Sequence, residues 1–529
     1  MKNLTSLLKN CAYEKNLQYG RTLHAQIERR GLLQDNVFIG SALINMYTKC
    51  GAISIAREVF DTFPSKNLVL WTSMIAGYAQ MGLGEEALAC FDDMQANGIL
   101  PDGAAYVCAL TACGTIGAAE KGQEIHAQAD RDGLVREDIV VGTAVVDMYA
   151  KCGMLENAQK TFDELAVQNV VSWTALITGY AQNGSGEKAL YCFEQMRRDG
   201  LSPNESTFSC ILKACGAVGD FWKGCEVHVE IMKAALLERD IVIANALVDM
   251  YAKCGDMVKA QTVFNELSVP DVVSWSTLIS GYAQHLHYEQ ALCCFECMKL
   301  GGVSPNTITC VSILSACGRL GAFSKGQEIH RDVVMKAFLE KDPVVGNALV
   351  SMYATCGMLE EAQLMFDTLR VQDMVSWNEL LEGCAQLGKD NDVFEFFDRM
   401  VAGENQPDLF SFTIILNSCC HKGLVEEGIL YFNVISSCFN IIPDLEHCVC
   451  VLDLYGRAGN LGKAAAVSEG MPFLTNLSVW HNMLGACQKW GNIETGMWAF
   501  RNALQLDDSD PAAYVYMSNI FAVSDFADI

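Results

Sequence analysis

The sequence predicts an all-α protein, a solenoid built from helix–turn–helix repeats. Identical residues recur every 102 positions, apolar residues between them follow the spacing of amphipathic helices, and glycines interrupt that spacing at regular places. A single hairpin cannot bury its apolar face, whereas stacked hairpins share one continuous core. The clearest columns are Trp71, Trp173, Trp275 and Trp377, and His24, His126, His228 and His330.

Each interval of 102 residues divides into three unequal units of 31, 35 and 36 residues, as in 139–169, 170–204 and 205–240. Every unit has an apolar helical pattern, a glycine near its middle and a second amphipathic run. Fourteen units fill residues 1–476, and a different pattern covers residues 477–529. Because solenoid ends normally carry polar caps, and 511–529 supplies one helix and a fragment, we expect truncation at the C-terminus.

Composition narrows the class of protein. The chain has 529 residues, more than the roughly 250–300 at which one core stops growing, with 51% hydrophobic and 19% charged residues. No apolar stretch could span a bilayer, and no targeting segment is visible in MKNLTSLLKNC. The 24 dispersed cysteines indicate reduced thiols. The net charge of −26 at first argues against a nucleic-acid partner.

The phrases VVSWTALITGYAQNG, NALVDMYAKCG and ILKACG resemble the pentatricopeptide repeat family, in particular its plant class with alternating P, L and S motifs. Residues 477–529 resemble the E-type motifs of that class, the second incomplete, which usually lead to a DYW-type cytidine deaminase domain that is absent here. The resemblance implies a right-handed superhelix that binds single-stranded organellar RNA, one base per repeat, to select sites for C-to-U editing. The expected compartment is the mitochondrion or, alternatively, the chloroplast.

The resemblance also implies that two side chains per unit read a base, the fifth residue of the first helix and the last residue of the unit. The fifth positions hold Ser41, Thr72, Thr143, Thr174, Asn245, Ser276, Asn347 and Asn378. The matching last positions hold Asn67, Asp102, Asn169, Asn204, Asp271, Asn306, Asp373 and Asp408. Asp only accepts hydrogen bonds and suits the imino N–H of guanine or uracil, whereas Asn can donate to adenine or cytosine.

The remaining units differ at the fifth position. Val107 and Val311 cannot hydrogen-bond a base edge, and with Ser209 they mark the 36-residue units as spacers or weak readers. Thr413 with Asp444 fits guanine, while Val449 with Asn476 stays undecoded. Read from the 5′ end, as the family reads, the fourteen units imply N-A-G-N-A-A-N-U-A-N-U-U-G-N, with the edited cytidine four nucleotides beyond the last unit.

Helix capping is the alternative interpretation of these polar residues, because Ser, Thr, Asn and Asp are the preferred N-caps. Capping explains the last positions well. It explains the fifth positions poorly, since they lie inside the first helix, where such residues are poor helix formers.

A column of cations ends the first helices of the 31-residue units, interrupted by Thr355. A cation at a helix C-terminus is stabilised by the helix dipole, which is the structural alternative. In such solenoids the first helices line the concave face, so the column would also form a basic stripe for RNA phosphates, with the acidic residues on the outer helices. This column consists of Lys49, Lys151, Lys253 and Arg457.

Catalytic and metal sites are not expected. His228-Val-Glu230 matches the HxE of zinc deaminases, but it is one copy of a repeated phrase whose other copies lack the Glu, and no PCxxC follows. Cys294 and Cys297 form a single CxxC without a second pair. We therefore expect a non-enzyme without cofactor, membrane or small-molecule ligand, with any deaminase activity supplied by lost C-terminal sequence or by a deaminase-bearing protein in trans. The periodic Cys and Trp residues are expected to be core.

Two other functions remain open. A protein–protein scaffold of tetratricopeptide type would suit the acidic surface, but it gives no reason to restrict two positions per hairpin to Ser/Thr/Asn and Asn/Asp. RNA splicing or stabilisation would keep the RNA-binding role, and the E-type motifs favour editing over both.

Overall fold

The computed structural model describes residues 2–33, 36–63, 65–237, 239–336, 338–403, 405–469 and 476–527. Throughout these residues the regular elements are helices, which confirms the predicted all-α class. The chain divides into two compact units, Met1–Pro270 and Asp271–Ile529. In the described part of the chain no helix is both long and apolar enough to cross a membrane.

The helices of the first unit are α1 Lys2–Glu14, α2 Leu17–Arg29, α3 Val37–Lys49, α4 Ile53–Asp61, α5 Leu68–Gln80, α6 Gly84–Ala96, α7 Gly103–Ile116, α8 Ala119–Arg131, α9 Leu134–Glu137, α10 Ile139–Lys151, α11 Leu155–Glu164, α12 Val170–Gln182, α13 Gly186–Arg198, α14 Glu205–Val218, α15 Phe221–Lys233, α16 Ile241–Lys253 and α17 Met257–Asn265.

The helices of the second unit are α18 Val272–Gln284, α19 Tyr288–Leu300, α20 Thr307–Leu320, α21 Phe323–Met335, α22 Phe338–Lys341, α23 Pro343–Thr355, α24 Leu359–Thr368, α25 Met374–Gln386, α26 Asp390–Ala402, α27 Leu409–Lys422, α28 Val425–Ser437, α29 Leu445–Arg457, α30 Leu461–Glu469, α31 Leu477–Trp490, α32 Ile493–Leu506 and α33 Pro511–Ala527.

Within each unit the helices form hairpins that stack in chain order. The first helix of a hairpin packs against its own second helix and against the first helices of the neighbouring hairpins, as α10 does against α11, α7 and α12. The second unit repeats this pattern from α18 to α33. Each hairpin therefore contributes one layer to a core that continues along the stack, as the 102-residue period predicts.

Local sequence sets where the helices end. The first helices of the 36-residue units stop at a glycine in the left-handed region, such as Gly117 at φ 70° and Gly423 at φ 70°. A glycine adopts this conformation without the Cβ clash that other residues meet. The short helices α9 and α22, each before the first helix of a 31-residue unit, were not expected from the sequence.

The periodic columns contribute to the core, although Trp275 and the cysteine column 50, 152, 254 and 356 are only partly buried. Trp71, Trp173 and Trp377 are buried, and each packs edge-on against a phenylalanine of the preceding second helix, with ring centroids 4.5 Å apart for Trp173 and Phe162. The cysteine column 11, 113, 215, 317 and 419 is also buried. Each histidine of the column 24, 126, 228 and 330 contacts a tyrosine hydroxyl, for example His126 Nδ1 with Tyr149 Oη at 2.9 Å.

Residues 477–527 continue the stack in the second unit. Helices α31 and α32 form a hairpin, and α33 packs against both. Trp480 is buried in their core and lies edge-on to Trp498, with ring centroids 5.1 Å apart. The predicted change of pattern after residue 476 therefore alters the residues that pack but not the hairpin architecture.

Candidate nucleic-acid interface

The first helices place every predicted fifth residue in one equivalent position. Each of these helices begins directly after the last residue of the preceding unit, so that Thr143, Thr174 and Asn347 are each the fifth residue of their helix. The helical frame predicted from the repeats is therefore the frame of the structure. The assignment of these residues to base recognition stays a prediction.

The predicted last residues are helix N-caps. Asn67, Asp102, Asn169, Asn204, Asp271, Asn306, Asp373, Asp408 and Asp444 each precede a first helix, and the side chain accepts from the backbone N–H of the third helical residue. The capping interpretation thus describes these positions correctly. It leaves capacity for further bonds, because a carboxylate has two oxygens and an amide also has two N–H donors.

The N-cap geometry differs between two groups of last residues. The decoded residues are those of the nine units to which a base was assigned, and the others belong to units without an assigned base. The backbone ψ of the nine decoded residues lies within about ten degrees of 180°, as at Asp102, where it is 177°. At Asp138, Asp240, Asp342 and Asn476, which are the last residues of undecoded units, ψ is 104°, 102°, 110° and 122°, and the side chain accepts from the second helical residue instead. The two groups therefore present different side-chain orientations at the start of the helix.

Three pairs of the second unit are joined directly. Asn347 Nδ2 donates to both carboxylate oxygens of Asp373, at 3.1 and 3.2 Å, and Asn378 Nδ2 donates to both oxygens of Asp408 at 3.1 Å. Ser276 Oγ lies 3.1 Å from Asn306 Oδ1. The structure thus brings together the fifth and last residues that the resemblance pairs.

The first unit joins its pairs less directly. Thr174 Oγ1 lies 2.7 Å from Thr207 Oγ1, which in turn lies 2.9 Å from Asn204 Oδ1. Thr143, Asn169, Thr174 and Asn204 line one groove, and Thr72 and Asp102 line another. No hydrogen bond joins Ser41 to Asn67. Asn245 is buried in the first unit, whereas Asp271 caps α18 in the second.

The hydroxyl groups at the fifth position also form hydrogen bonds within their own helix, a structural role distinct from N-capping. Thr174 Oγ1 and Ser276 Oγ each donate to the carbonyl oxygen four residues earlier, at 2.6 Å. This local bond is a common way for Ser and Thr to be accommodated within a helix. It occupies the single hydroxyl proton, so these hydroxyls are left to act as acceptors.

Thr413 and Asp444 are linked by a histidine. His447 is fully buried, its Nδ1 lies 2.5 Å from Asp444 Oδ1, and its Nε2 lies 2.8 Å from the Leu409 carbonyl oxygen and 3.4 Å from Thr413 Oγ1. Burial would raise the pKa of the Asp444 carboxyl, but hydrogen bonds from His447 outweigh it and lower that pKa. The predicted guanine site is therefore occupied in part by an imidazole.

The sequence analysis missed a third polar position, the third residue of the first helices α12, α14, α18, α20, α25 and α27. Ser172, Ser274, Ser376 and Ser411 are fully buried, as are Thr207 and Thr309. Ser411 Oγ donates to Asn378 Oδ1 at 2.6 Å, so this position connects the fifth residue of one repeat with the next repeat along the chain. The recurring serine of VVSW was the available signal.

Exposed apolar residues stand beside the polar pairs. The second residue of most first helices is a large apolar side chain open to solvent, for example Val140 and Val171, each 59% exposed. The same position holds Phe38, Val69, Val242, Val273, Ile308, Val344, Val375 and Phe410. A periodic row of exposed apolar residues on otherwise well-packed helices indicates a binding surface.

Two fifth residues carry a buried polar atom without a hydrogen-bond partner among the described residues. They are Thr72 Oγ1 and Asn347 Oδ1. Such an atom costs about 1–3 kcal/mol relative to a satisfied one. A ligand that donates a hydrogen bond at either position would recover that free energy.

Most cations of the predicted basic column are ion-paired. Lys49, Lys151, Lys253 and Arg457 end α3, α10, α16 and α29 as expected. However, the last three each form an ion pair with the aspartate one turn earlier, at 2.6, 2.8 and 2.7 Å. Most of the column is therefore locally neutral rather than a free basic stripe.

The geometry gives no support to a metal or deaminase site. His228 Nδ1 contacts Tyr251 Oη at 2.8 Å, and Glu230 pairs with Arg197 at 2.8 Å. Across the described residues no three His, Cys, Asp or Glu side chains converge on a point that could hold a metal ion. All 24 cysteines are free, and burial raises the pKa of the Cys113 thiol to about 12.

Two family models match the chain. The model described as the PPR repeat family matches residues 66–115, 168–217, 270–319 and 372–421. The model described as the PPR repeat matches residues 143–170, 242–269, 347–373 and 410–438. Together they cover more than half of the chain, and the four matches of the first model recur every 102 residues.

Long relatives occur in Arabidopsis thaliana. A mitochondrial pentatricopeptide repeat-containing protein is 34% identical over 97% of this chain and 74% of its own length. Two chloroplastic proteins of the same name are 33% and 34% identical over 98% of this chain, and over 59% and 64% of their own lengths. The chain thus spans about three fifths to three quarters of these relatives.

Solved structures share the fold at lower identity. The pentatricopeptide repeat protein PPR10 from maize superimposes with a TM-score of 0.53 at 17% identity, over 99% of this chain and 94% of that chain. PPR10 in complex with an 18-nt psaJ RNA element gives a TM-score of 0.58 at 18% identity, over 100% and 85%.

Proposed function

The chain belongs to the pentatricopeptide repeat family, and from that premise we propose that it binds single-stranded RNA along its first helices, one base per polar pair. The observation that carries the proposal is the joined fifth and last residues, above all Asn347 with Asp373 and Asn378 with Asp408. They place an acceptor carboxylate and an amide side by side, which is the chemistry that reads a base edge.

The exposed apolar row supports the same function. Val140 and Val171 begin successive first helices of the groove that Thr143, Asn169 and Asn204 also line. Every base has an apolar face and a polar edge, so a site with both kinds of side chain can hold the face and read the edge. A protein scaffold would need neither the polar pairs nor their common cap geometry.

The finer function we propose is selection of sites for organellar C-to-U editing. The resemblance of residues 477–529 to E-type motifs supports it, and α31–α33 give that segment a folded form. The deaminase that this function requires would be supplied by further C-terminal sequence or by a deaminase-bearing protein in trans. The relatives are named mitochondrial or chloroplastic, which supports an organellar compartment. Of the two organelles we propose the mitochondrion.

An RNA selection with the purified chain tests the proposal. We expect enrichment of a fourteen-nucleotide pattern in which the third base is G, the fifth and sixth are A, and the eleventh and twelfth are U. Each wrong base at a decoded position should weaken binding by about 1–3 kcal/mol, by analogy with protein–DNA sites. Enrichment of no sequence, with equal binding to all pools, would contradict the proposal and favour the scaffold.

A further inference from the structure

The aspartates paired with the cation column occupy one equivalent position, the ninth residue of the first helix. Lys151 Nζ lies 2.6 Å from Asp147 Oδ2, and Lys253 Nζ lies 2.8 Å from Asp249 Oδ2. Arg457 Nε lies 2.7 Å from Asp453 Oδ2. All six side chains are one third to one half exposed, so an RNA phosphate could reach each cation from solvent.

The aliphatic parts of Lys151 and Lys253 also contact the protein, in addition to the ion pairs of their ammonium groups. The stem of Lys151 crosses Gly114 of α7, where an added Cβ would lie 3.1 Å from Lys151 Cδ. The stem of Lys253 crosses Gly216 of α14 with the same arrangement at 3.2 Å. Each lysine is therefore laid along the surface of the neighbouring first helix, with its charge held beside the aspartate.

We propose that Asp147, Asp249 and Asp453 are intramolecular competitors of RNA phosphates for the cation column. This inference rests on the proposed RNA-binding function. Phosphate contacts strengthen binding to every sequence alike, whereas base contacts discriminate. By holding the cations, the aspartates lower the affinity for all RNA by the same factor and leave the choice of sequence to the polar pairs.

The chain contains natural counterparts of the paired cations. Lys49 occupies the same position in α3, but the ninth residue of that helix is Asn45, and Lys49 has no ion pair in the described structure. In α23 both charges are missing, since Ser351 and Thr355 replace them. The ninth residue is thus an aspartate in the three helices that end in a paired cation, whereas in α3 it is an amide.

The test is a triple variant, Asp147→Asn with Asp249→Asn and Asp453→Asn, which copies Asn45 into three repeats. The control variant, Glu187→Gln with Glu289→Gln and Glu360→Gln, removes the same charge from exposed sites on second helices. Circular dichroism checks that both fold. Binding of a selected 14-mer and of oligocytidylate is measured by fluorescence anisotropy at several salt concentrations.

We expect the triple variant to bind both RNAs about eightfold more tightly, since helical ion pairs of this spacing shift an equilibrium about twofold each. The slope of log K against log salt should steepen by about 2, which is three phosphate contacts at about 0.7 each. The ratio between the two RNAs should not change. In addition, Lys151→Ala should weaken binding more in the Asp147→Asn background than in the wild type.

Several outcomes would overturn the inference. They are an unchanged affinity and slope in the triple variant, an equal gain in the control variant, or a gain confined to the selected RNA. In all of these the wild type still binds its selected RNA, so the proposed function survives. If the wild type binds neither RNA above background, the proposed function fails and the inference fails with it.

Discussion

Exchange of one polar pair tests base recognition most sharply at Asn347 and Asp373. Both lie in the second unit, and the structure joins them by two hydrogen bonds of 3.1 and 3.2 Å. The double variant Asn347→Thr with Asp373→Asn shortens the first side chain and turns an obligate acceptor into a group that can donate. The eleventh base of the bound RNA should change from uracil to adenine, and the other thirteen should not.

The expected magnitude follows from the groups involved. A base whose N–H faces a donor instead of the Asp373 carboxylate leaves a polar atom unsatisfied, which costs about 1–3 kcal/mol. One factor of ten corresponds to about 1.4 kcal/mol. A preference for uracil of about 5- to 150-fold should therefore become a preference for adenine of the same order.

The design separates recognition from capping. Asp373 Oδ1 accepts from the Ser376 backbone N–H at 2.9 Å, and Asn is as good an N-cap as Asp, so the exchange at residue 373 should keep the cap of α25. Asp220→Asn is the matched control, because Asp220 caps the second helix α15 through the Lys223 N–H at 3.0 Å. Competition binding compares the 14-mer that has uracil at the eleventh position with the 14-mer that has adenine there, and it distinguishes base recognition from capping. An unchanged ratio in a folded double variant would leave these residues as caps alone.

Three further predictions concern stability and metal. Trp173→Ala should lower the free energy of unfolding by about 3–5 kcal/mol, measured by urea denaturation, because it empties a core position between two hairpins; a loss below 1 kcal/mol would contradict the packing. Hydrogen bonds from Lys299 and Lys325 lower the pKa of Glu328 to about 2, so its stabilisation is present above about pH 4.5 and is lost as the pH falls towards 2; Glu328→Gln should flatten the melting temperature over that range. Dialysis against a chelator should leave the helical circular dichroism and the melting temperature unchanged, and stoichiometric zinc whose removal unfolds the protein would refute this.

The helical frame could be predicted because local signals coincide with the period. Asn169 and Asn204 combine a preferred cap residue with the start of an apolar run, so the positions of Thr174 and Ser209 followed directly. The burial of Trp173 followed from its apolar neighbours. Both depend only on residues close together in the chain, which the repeat displays several times.

Other parts of the site depend on contacts between units. The bond from Ser411 to Asn378 spans 33 residues, and no local pattern indicates it. His447 stands where the first helices of the 31-residue units have Val or Ile, such as Val141 and Ile243, so the period could not reveal how it enters the Thr413–Asp444 site. The ion pairs had a signal, an aspartate four residues before each lysine in DMYAK, and this spacing favours pairing on a helix.

Capping and base recognition are compatible at the last residue, and its chemistry indicates why. Ser and Thr are also good caps, yet the nine decoded last residues are Asn or Asp only. A capping hydroxyl has a single oxygen, whereas a capping carboxylate or amide keeps a second polar atom, as Asp408 does when both of its oxygens accept from Asn378. Caps of second helices include Ala118, Met154 and Leu83, so capping alone imposes no such restriction. Asp138, Asp240 and Asp342 also cap first helices, with a different ψ, and they end units without a decoded pair. The common ψ near 180° therefore favours a second role for the nine decoded residues, and contact with a base is the role that we propose for them together with the neighbouring fifth residue.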